Sequence, residues 1–97
     1  MSGATTSTSM FFYTYILESL RDKKRYIGFT TDLKRRIEEH RKGLSPATKP
    51  RLPMKLIYFE GCTNEVDAKR REEYFKTTYG RRFLAKRLKT YYQQSKL

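Results

Sequence analysis

Arg36 and His40 stand four residues apart in the stretch RYIGFTTDLKRRIEEH, residues 25 to 40, where a helix would turn both toward the side that carries Leu33 and Ile37. Those four positions follow the i, i+3, i+4, i+7 spacing of a single helical face, and two of the four are polar. Leu33 and Ile37 can rest on a sheet. A guanidinium and an imidazole cannot be left buried and unpaired, so the face looks either into a cleft that holds an anion or onto an edge wetted by solvent. Arginine suits a planar, bidentate hold on a phosphate. Histidine exchanges protons near neutral pH, and His40 is the only one in the chain.

The neighbouring elements must position this pair. Arg25, Ile27 and Phe29 alternate with Tyr26 and Gly28 at the period of a strand, and Thr30, Thr31 and Asp32 then offer side chains that cap a helix start. The helix is predicted from Asp32 to about Lys42, with Gly43 closing it. Upstream, Phe11 to Glu18 (FFYTYILE) is apolar on both alternating faces, as a central strand would be. The polar turn from Ser19 to Lys24 is short, so the two strands are expected to form an antiparallel hairpin with Tyr13 and Tyr15 near Tyr26. Leu44 to Pro53 holds three prolines and reads as a surface loop exposing Lys49 and Arg51. Met54 to Glu60 is a third strand. Asn64 can cap a second helix running to about Thr78, its start favoured by Glu65 and Asp67. Gly80 interrupts that pattern, and a last helix from about Arg81 to Tyr92 carries Arg82, Lys86 and Lys89 on one stripe, either as phosphate contacts or as a solvated face. The order is strand, strand, helix, strand, helix, helix.

Ninety-seven residues make one domain, and 22 lysines and arginines against 10 acids leave a net charge of +12. The excess lies in several segments rather than one lipid-reading cluster, and no long apolar run accompanies it, which favours nucleic acid over a membrane as the polyanionic partner. Lys34 and Arg35 add to the candidate phosphate contacts already named. The lone Cys62 excludes an internal disulfide framework and suits a reducing compartment, so a cytoplasmic, nucleoid-associated location is expected. Residues 1 to 9, MSGATTSTS, lack the pattern of a secretory signal and read as a disordered tail or an expression remnant ahead of a domain from 10 to 97.

A tyrosine strand (YTYIL), a short turn, YIG, an arginine ten residues beyond the YIG tyrosine, and a glutamate in KRREEYFK together resemble the GIY-YIG nucleases, especially their small stand-alone bacterial members, and are similar to the nuclease domain of the bacterial excision-repair incision protein. The likeness runs from Phe11 to about Tyr92. It implies an α+β fold, a small three-stranded antiparallel sheet flanked by helices, and an endonuclease that hydrolyses phosphodiester bonds of DNA, as in DNA repair, with one divalent ion, Mg2+ or Mn2+. The expected substrate is double- or single-stranded DNA, branched forms included, and the expected state a monomer or weak dimer. Residue by residue, the resemblance carries the first-motif tyrosine to Tyr15, the second to Tyr26 and its glycine to Gly28, the family arginine to Arg36, the metal-binding glutamate to Glu72, and a histidine of some branches to His40. This chain departs from the pattern at several points. The first motif reads Tyr13-Thr14-Tyr15, which leaves Tyr13 and Tyr15 both open as its tyrosine; Phe29 replaces a lysine after YIG, and Leu84 an asparagine found in some branches.

The roles agree with elementary chemistry. Phosphodiester hydrolysis needs an activated water and neutralisation of developing charge, which a cation and a guanidinium can supply. A magnesium-type ion keeps several waters, so Glu72 plus phosphate oxygens can suffice. The plainer alternatives are that Glu72 pairs with Lys69, Arg70 or Lys76, and that Tyr15 and Tyr26 pack in the core. At the level of the whole chain the alternatives are a non-catalytic basic module binding single-stranded nucleic acid and an inactive nuclease-like interaction domain.

Overall fold

The computed structural model describes residues 10–94, so the expectation for residues 1–9 lies outside the described residues. The sheet has three antiparallel strands, β1 (Phe12–Ser19), β2 (Arg25–Thr30) and β3 (Met54–Cys62), in the order β2-β1-β3. β1 lies in the middle, which is why its residues from Thr14 to Ser19 are all buried and its sequence is apolar on both faces. Helix α1 (Leu33–Arg41) follows β2, and α2 (Glu65–Phe75), α3 (Thr78–Arg87) and α4 (Lys89–Gln94) follow β3. Among the described residues no helix is long and apolar enough to cross a membrane.

The helix starts are built as their sequences dictate. The Asp32 carboxylate accepts from the Arg35 amide at 3.1 Å, and the Asn64 side chain accepts from the Asp67 amide at 3.0 Å. Gly43 follows α1 with φ +76, the left-handed conformation that glycine adopts without penalty. The two sheet faces then differ. On one, Ile16, Phe75 and Leu84 form a buried core joined by Ile27, Ile57, Tyr58 and Phe83, and α2 is further tied to β1 by the Thr14 hydroxyl donating to the Ala68 carbonyl at 2.9 Å. The other face carries Tyr15 and meets α1 through His40.

Three expectations are corrected. The second helix does not run to Thr78: it ends at Phe75, and Thr77 caps a new helix by accepting from the Gly80 amide at 3.1 Å. Gly80 therefore lies inside α3, where a Cβ would come within 2.0 Å of the Tyr74 carbonyl oxygen; its smallness lets the two helices touch. The final helix is also two, turning at Leu88 so that Tyr91 bonds the Glu18 carboxylate and the Tyr92 ring lies 4.3 Å beneath the Arg25 guanidinium. Arg51, expected exposed on the loop, sits in a 3-10 turn (Lys49–Arg51), half-buried, paired with Asp22 at 3.3 Å. It ties that loop to the β1–β2 turn.

Candidate active site

Register places the first group of side chains. Tyr15 stands opposite Gly28 and Leu17 opposite Tyr26, and directly opposed residues project from the same face, so Tyr15 and Tyr26 share a face. A Cβ on Gly28 would lie 2.3 Å from Tyr15 Cζ; the tyrosine ring lies over the glycine and could not do so over any other residue. Tyr13 faces the same way but leans the other way, over Gly61 of β3, and meets the rings of Phe11 and Phe59. Of the two first-strand tyrosines, Tyr15 is the one brought to His40 at the end of α1; Tyr13, expected near Tyr26, leans to the β3 side and lines a separate cavity with Leu33 and Ile37 of α1 and Phe59 of β3.

The last turn of α1 delivers His40 to this spot. Tyr15 Oη lies 2.8 Å from His40 Nε2, and His40 Nδ1 lies 2.7 Å from Thr48 Oγ1, all three side chains being buried. A hydroxyl thus stands at each ring nitrogen, and a neutral imidazole accepts from one and donates to the other. The Tyr26 ring completes the wall, 5.2 Å from the His40 ring and 6.4 Å from that of Tyr15, centre to centre.

Arg36 lies one turn earlier. Its guanidinium is held by Glu39 at 3.0 Å and lies 3.5 Å from the Ser45 hydroxyl, so the loop after α1 places a buried hydroxyl beside each of the two polar residues on the helix face. Burial pushes the Tyr15 phenol up to about 12, with Arg36 pulling it back and the charges of Tyr26 and Glu72 pushing it further. Burial, then the Arg36 charge, hold the His40 imidazole below its ordinary value of 6.5. His40 is therefore neutral at neutral pH and Tyr15 is a protonated phenol.

Glu72 reaches the site from the other side of the sheet. It projects from α2, and with Tyr26 it lines a groove of about 610 Å³ beside β2, the strand whose outer edge is unpaired. Its carboxylate is half-buried and pairs with Lys76 at 3.5 Å, which settles the choice of ion-pair partner among Lys69, Arg70 and Lys76. Lys69 and Arg70 pair with Glu65 and Asp67. Among the described residues no group of three or more His, Cys, Asp or Glu side chains could hold a metal. A single carboxylate at an open groove fits an oxygen-liganded ion that keeps its waters and takes phosphate oxygens, and does not fit a zinc-type cage.

The structure thus brings Tyr15, Tyr26, Arg36, His40 and Glu72 to one region, with Gly28 beneath the Tyr15 ring. The expected phosphate contacts are scattered. Lys34, Lys49, Arg82, Lys86 and Lys89 are exposed and spread over α1, the 3-10 turn, α3 and α4, Arg35 pairs with Glu39 at 3.6 Å, and Arg51 is occupied by Asp22. The cations that line the groove with Glu72 are instead Lys23, Lys24, Arg25, Lys76 and Arg81. A visible signal existed for three of them, the basic run KKR directly before the YIG tyrosine. No such signal marked Ser45 or Thr48, two small hydroxyl residues in a loop of similar composition.

The GIY-YIG catalytic domain matches residues 11–89. A UPF0213 protein of Streptococcus pneumoniae strain R6 is 45% identical over 65 residues, 66% of this chain and 65% of that protein. A UPF0213 protein of Streptococcus agalactiae is 43% identical over 65 residues, 66% of this chain and 73% of that protein. The match therefore spans just under two thirds of the pneumococcal relative's own length. The solution structure of a UPF0213 protein from Bacillus halodurans superimposes with a TM-score of 0.51 at 32% identity, covering 79% of this chain and 84% of that one.

Proposed function

The chain belongs to the GIY-YIG catalytic-domain family, a nuclease-type fold, and on that premise we propose that it is a divalent-metal-dependent endonuclease hydrolysing phosphodiester bonds of DNA. The observation that carries this reading is the hydrogen-bonded chain from Tyr15 through His40 to Thr48, set beside the Arg36 guanidinium.

Tyr15 prepares the attacking water. A phenol pushed up to about 12 supplies almost no phenolate at neutral pH, so it needs a partner to take its proton as it takes one from water. Neutral His40 is that partner, with Nδ1–H donating to Thr48 Oγ1 and Nε2 accepting from the Tyr15 hydroxyl. As water adds to phosphorus, its proton passes to Tyr15 Oη and the Tyr15 proton to His40 Nε2. Arg36, steadied by Glu39 and Ser45, binds non-bridging phosphate oxygens and stabilises the charge that grows on them. Tyr26 packs against His40 and Tyr15 and braces both rings. Glu72 would hold one Mg2+ or Mn2+ ion, which when bound neutralises phosphate charge and eases departure of the leaving oxygen. Lys76 must release Glu72 for that, a small rearrangement for a 3.5 Å pair whose lysine is exposed.

The test is cleavage of plasmid and of single-stranded DNA and RNA with added Mg2+ or Mn2+, by the native chain and by Glu72→Gln. We expect the variant to lose cleavage, by at least a hundredfold, and to keep nucleic-acid binding, since a metal ligand is deleted and no cationic contact is. Cleavage by Glu72→Gln near the native rate would remove the proposed ion site. A native chain that binds but never cleaves would make it a binding or interaction domain.

A further inference from the structure

The groove beside Glu72 has a composition that the hydrolytic step does not require. Its apolar lining is Ile27 with the buried Phe75 and Leu84, and besides Lys76, which pairs with Glu72, it is lined by the exposed cations Lys23, Lys24, Arg25 and Arg81. Three of these come from the β1–β2 turn and the first residue of β2, and the fourth from α3, so two distant segments place positive charge on one channel. Among the described residues none of these four makes an ion pair, whereas eight other cations do. The channel is continuous with the catalytic region because Tyr26 and Glu72 line it too.

Lys23 adds a second and independent sign. It has φ +62, left-handed backbone that a side-chain-bearing residue rarely adopts and in which glycine would be at ease. A lysine is nevertheless there, and its side chain lines both this groove and a neighbouring one with Glu18, Lys55 and Tyr91. The turn requires no lysine side chain: the Lys23 amide donates to the Ser19 carbonyl and the Ser19 amide to the Lys24 carbonyl, while the Arg21, Asp22 and Lys24 amides donate to the Ser19 hydroxyl and the Asp22 carboxylate.

We propose that Lys23, Lys24 and Arg81 form a phosphate track that holds the nucleic-acid strand on one side of the cleaved bond and guides it along the edge of β2 to Glu72 and Tyr26. The proposal rests on the nuclease reading for the place of the scissile phosphate. Successive residues of β2 rise by about 3.3 Å, so the cations just before Tyr26 lie within reach of the phosphates next to the one at the site. The apolar lining accepts sugar faces and the cations accept phosphate oxygens, so affinity gained here is independent of base identity. An alternative use of such charges is to guard the open edge of β2 against pairing with another chain.

Binding of a fluorescein-labelled DNA strand of mixed sequence, and of its duplex, is measured by anisotropy in EDTA over a salt series. The triple change Lys23→Gly, Lys24→Ala, Arg81→Ala is compared with Arg41→Ala, Lys69→Ala, Arg70→Ala, which removes the same charge from residues outside the groove. We expect the groove triple to weaken binding by about tenfold or more and to flatten the salt slope by about 2, as three lost phosphate contacts on a single strand should, while the control loses less than threefold. Equal losses in the two triples would reduce the effect to net charge and overturn the track. Native affinity together with self-association of the groove triple would overturn it in favour of edge guarding. Lys23→Gly alone should bind more weakly with a Tm at or above the native one, since charge is lost and left-handed strain is relieved; unchanged affinity would remove Lys23 from the track. Because binding is read without metal, failure of the native chain to cleave would refute the nuclease reading and leave the track standing, whereas a cleaving chain with a groove triple of native affinity would do the reverse.

Discussion

Tyr15 and His40 are individually poor candidates for proton transfer, the phenol because burial raises it to about 12 and the imidazole because burial and Arg36 lower it. Joined by a 2.8 Å hydrogen bond they complement one another, the histidine remaining neutral where the phenol needs an acceptor. Two residues that act as one unit give non-additive losses. Tyr15→Phe and His40→Ala should each slow cleavage by a large factor, about a hundredfold or more, while the double change is little worse than the worse single one. Strictly multiplicative losses would falsify the pairing. The pH profile follows from the direction of the shift: protonated His40 cannot accept, so the rate rises with pH through a midpoint below 6.5 and then levels off, with Tyr15 adding no ionisation near neutrality. Tyr13→Phe should leave the profile intact. His40 also links stability to acid. Its proton is bound less readily folded than unfolded, so the unfolded chain takes up the proton first and stability falls as pH drops from about 6.5 through the lower folded value. Denaturant midpoints at pH 7 and pH 5 measure this, and His40→Ala should reduce the difference between them.

At the scale of elements, two glycines act by close approach and should fail in opposite ways. Gly28 gives the Tyr15 ring its resting place on β2, so Gly28→Ala forces a buried ring to move and disconnects it from His40. Cleavage should fall far more than stability. Gly80 presses the start of α3 against the backbone of α2, where no flexible side chain can give way. Gly80→Ala should destabilise the fold by about 1–3 kcal/mol or more, as overpacking does, while each molecule that remains folded cleaves at close to the native rate. Denaturant unfolding and cleavage assays on both variants separate the cases; a stable Gly80→Ala protein would contradict the tight α2–α3 contact. The loop after α1 is the third device of this scale, for one short segment supplies Ser45 to Arg36 and Thr48 to His40 and so fixes the two helix residues relative to each other.

For the whole molecule, a net charge of +12 on 97 residues exceeds what solubility asks and repels itself in the folded state. Most ion pairs among the described residues lie three or four residues apart on their own helices, and the solvent-exposed ones among them contribute little to stability. They leave the charge free for a polyanion. Nucleic-acid affinity should therefore fall steeply with salt and vary little with base sequence, measured as Kd across a salt series for several unrelated sequences. A salt-insensitive preference for one sequence would count against this account.

The strands, the helix starts at Asp32 and Asn64, and the shared face of Arg36 and His40 were legible in the sequence because each depends on a period or a cap within one element. The family was legible in the order of the motif residues Tyr15, Tyr26, Arg36 and Glu72, and the match over residues 11–89 bears that family out. Periodicity says which residues share a side of their own element, not which side another element will meet. Tyr13 and Tyr15 share a face, and only the register that sets Gly28 against Tyr15 and Gly61 against Tyr13 sends one ring to His40 and the other toward β3. The bond from Tyr15 to His40 spans 25 residues, and Thr48 enters through a loop whose burial its composition does not announce. Likewise the KKR run was visible, but its place beside Arg81 and Glu72 arises only where the β1–β2 turn, α2 and α3 meet at the open edge of β2, because charges far apart in the chain become one groove only through packing.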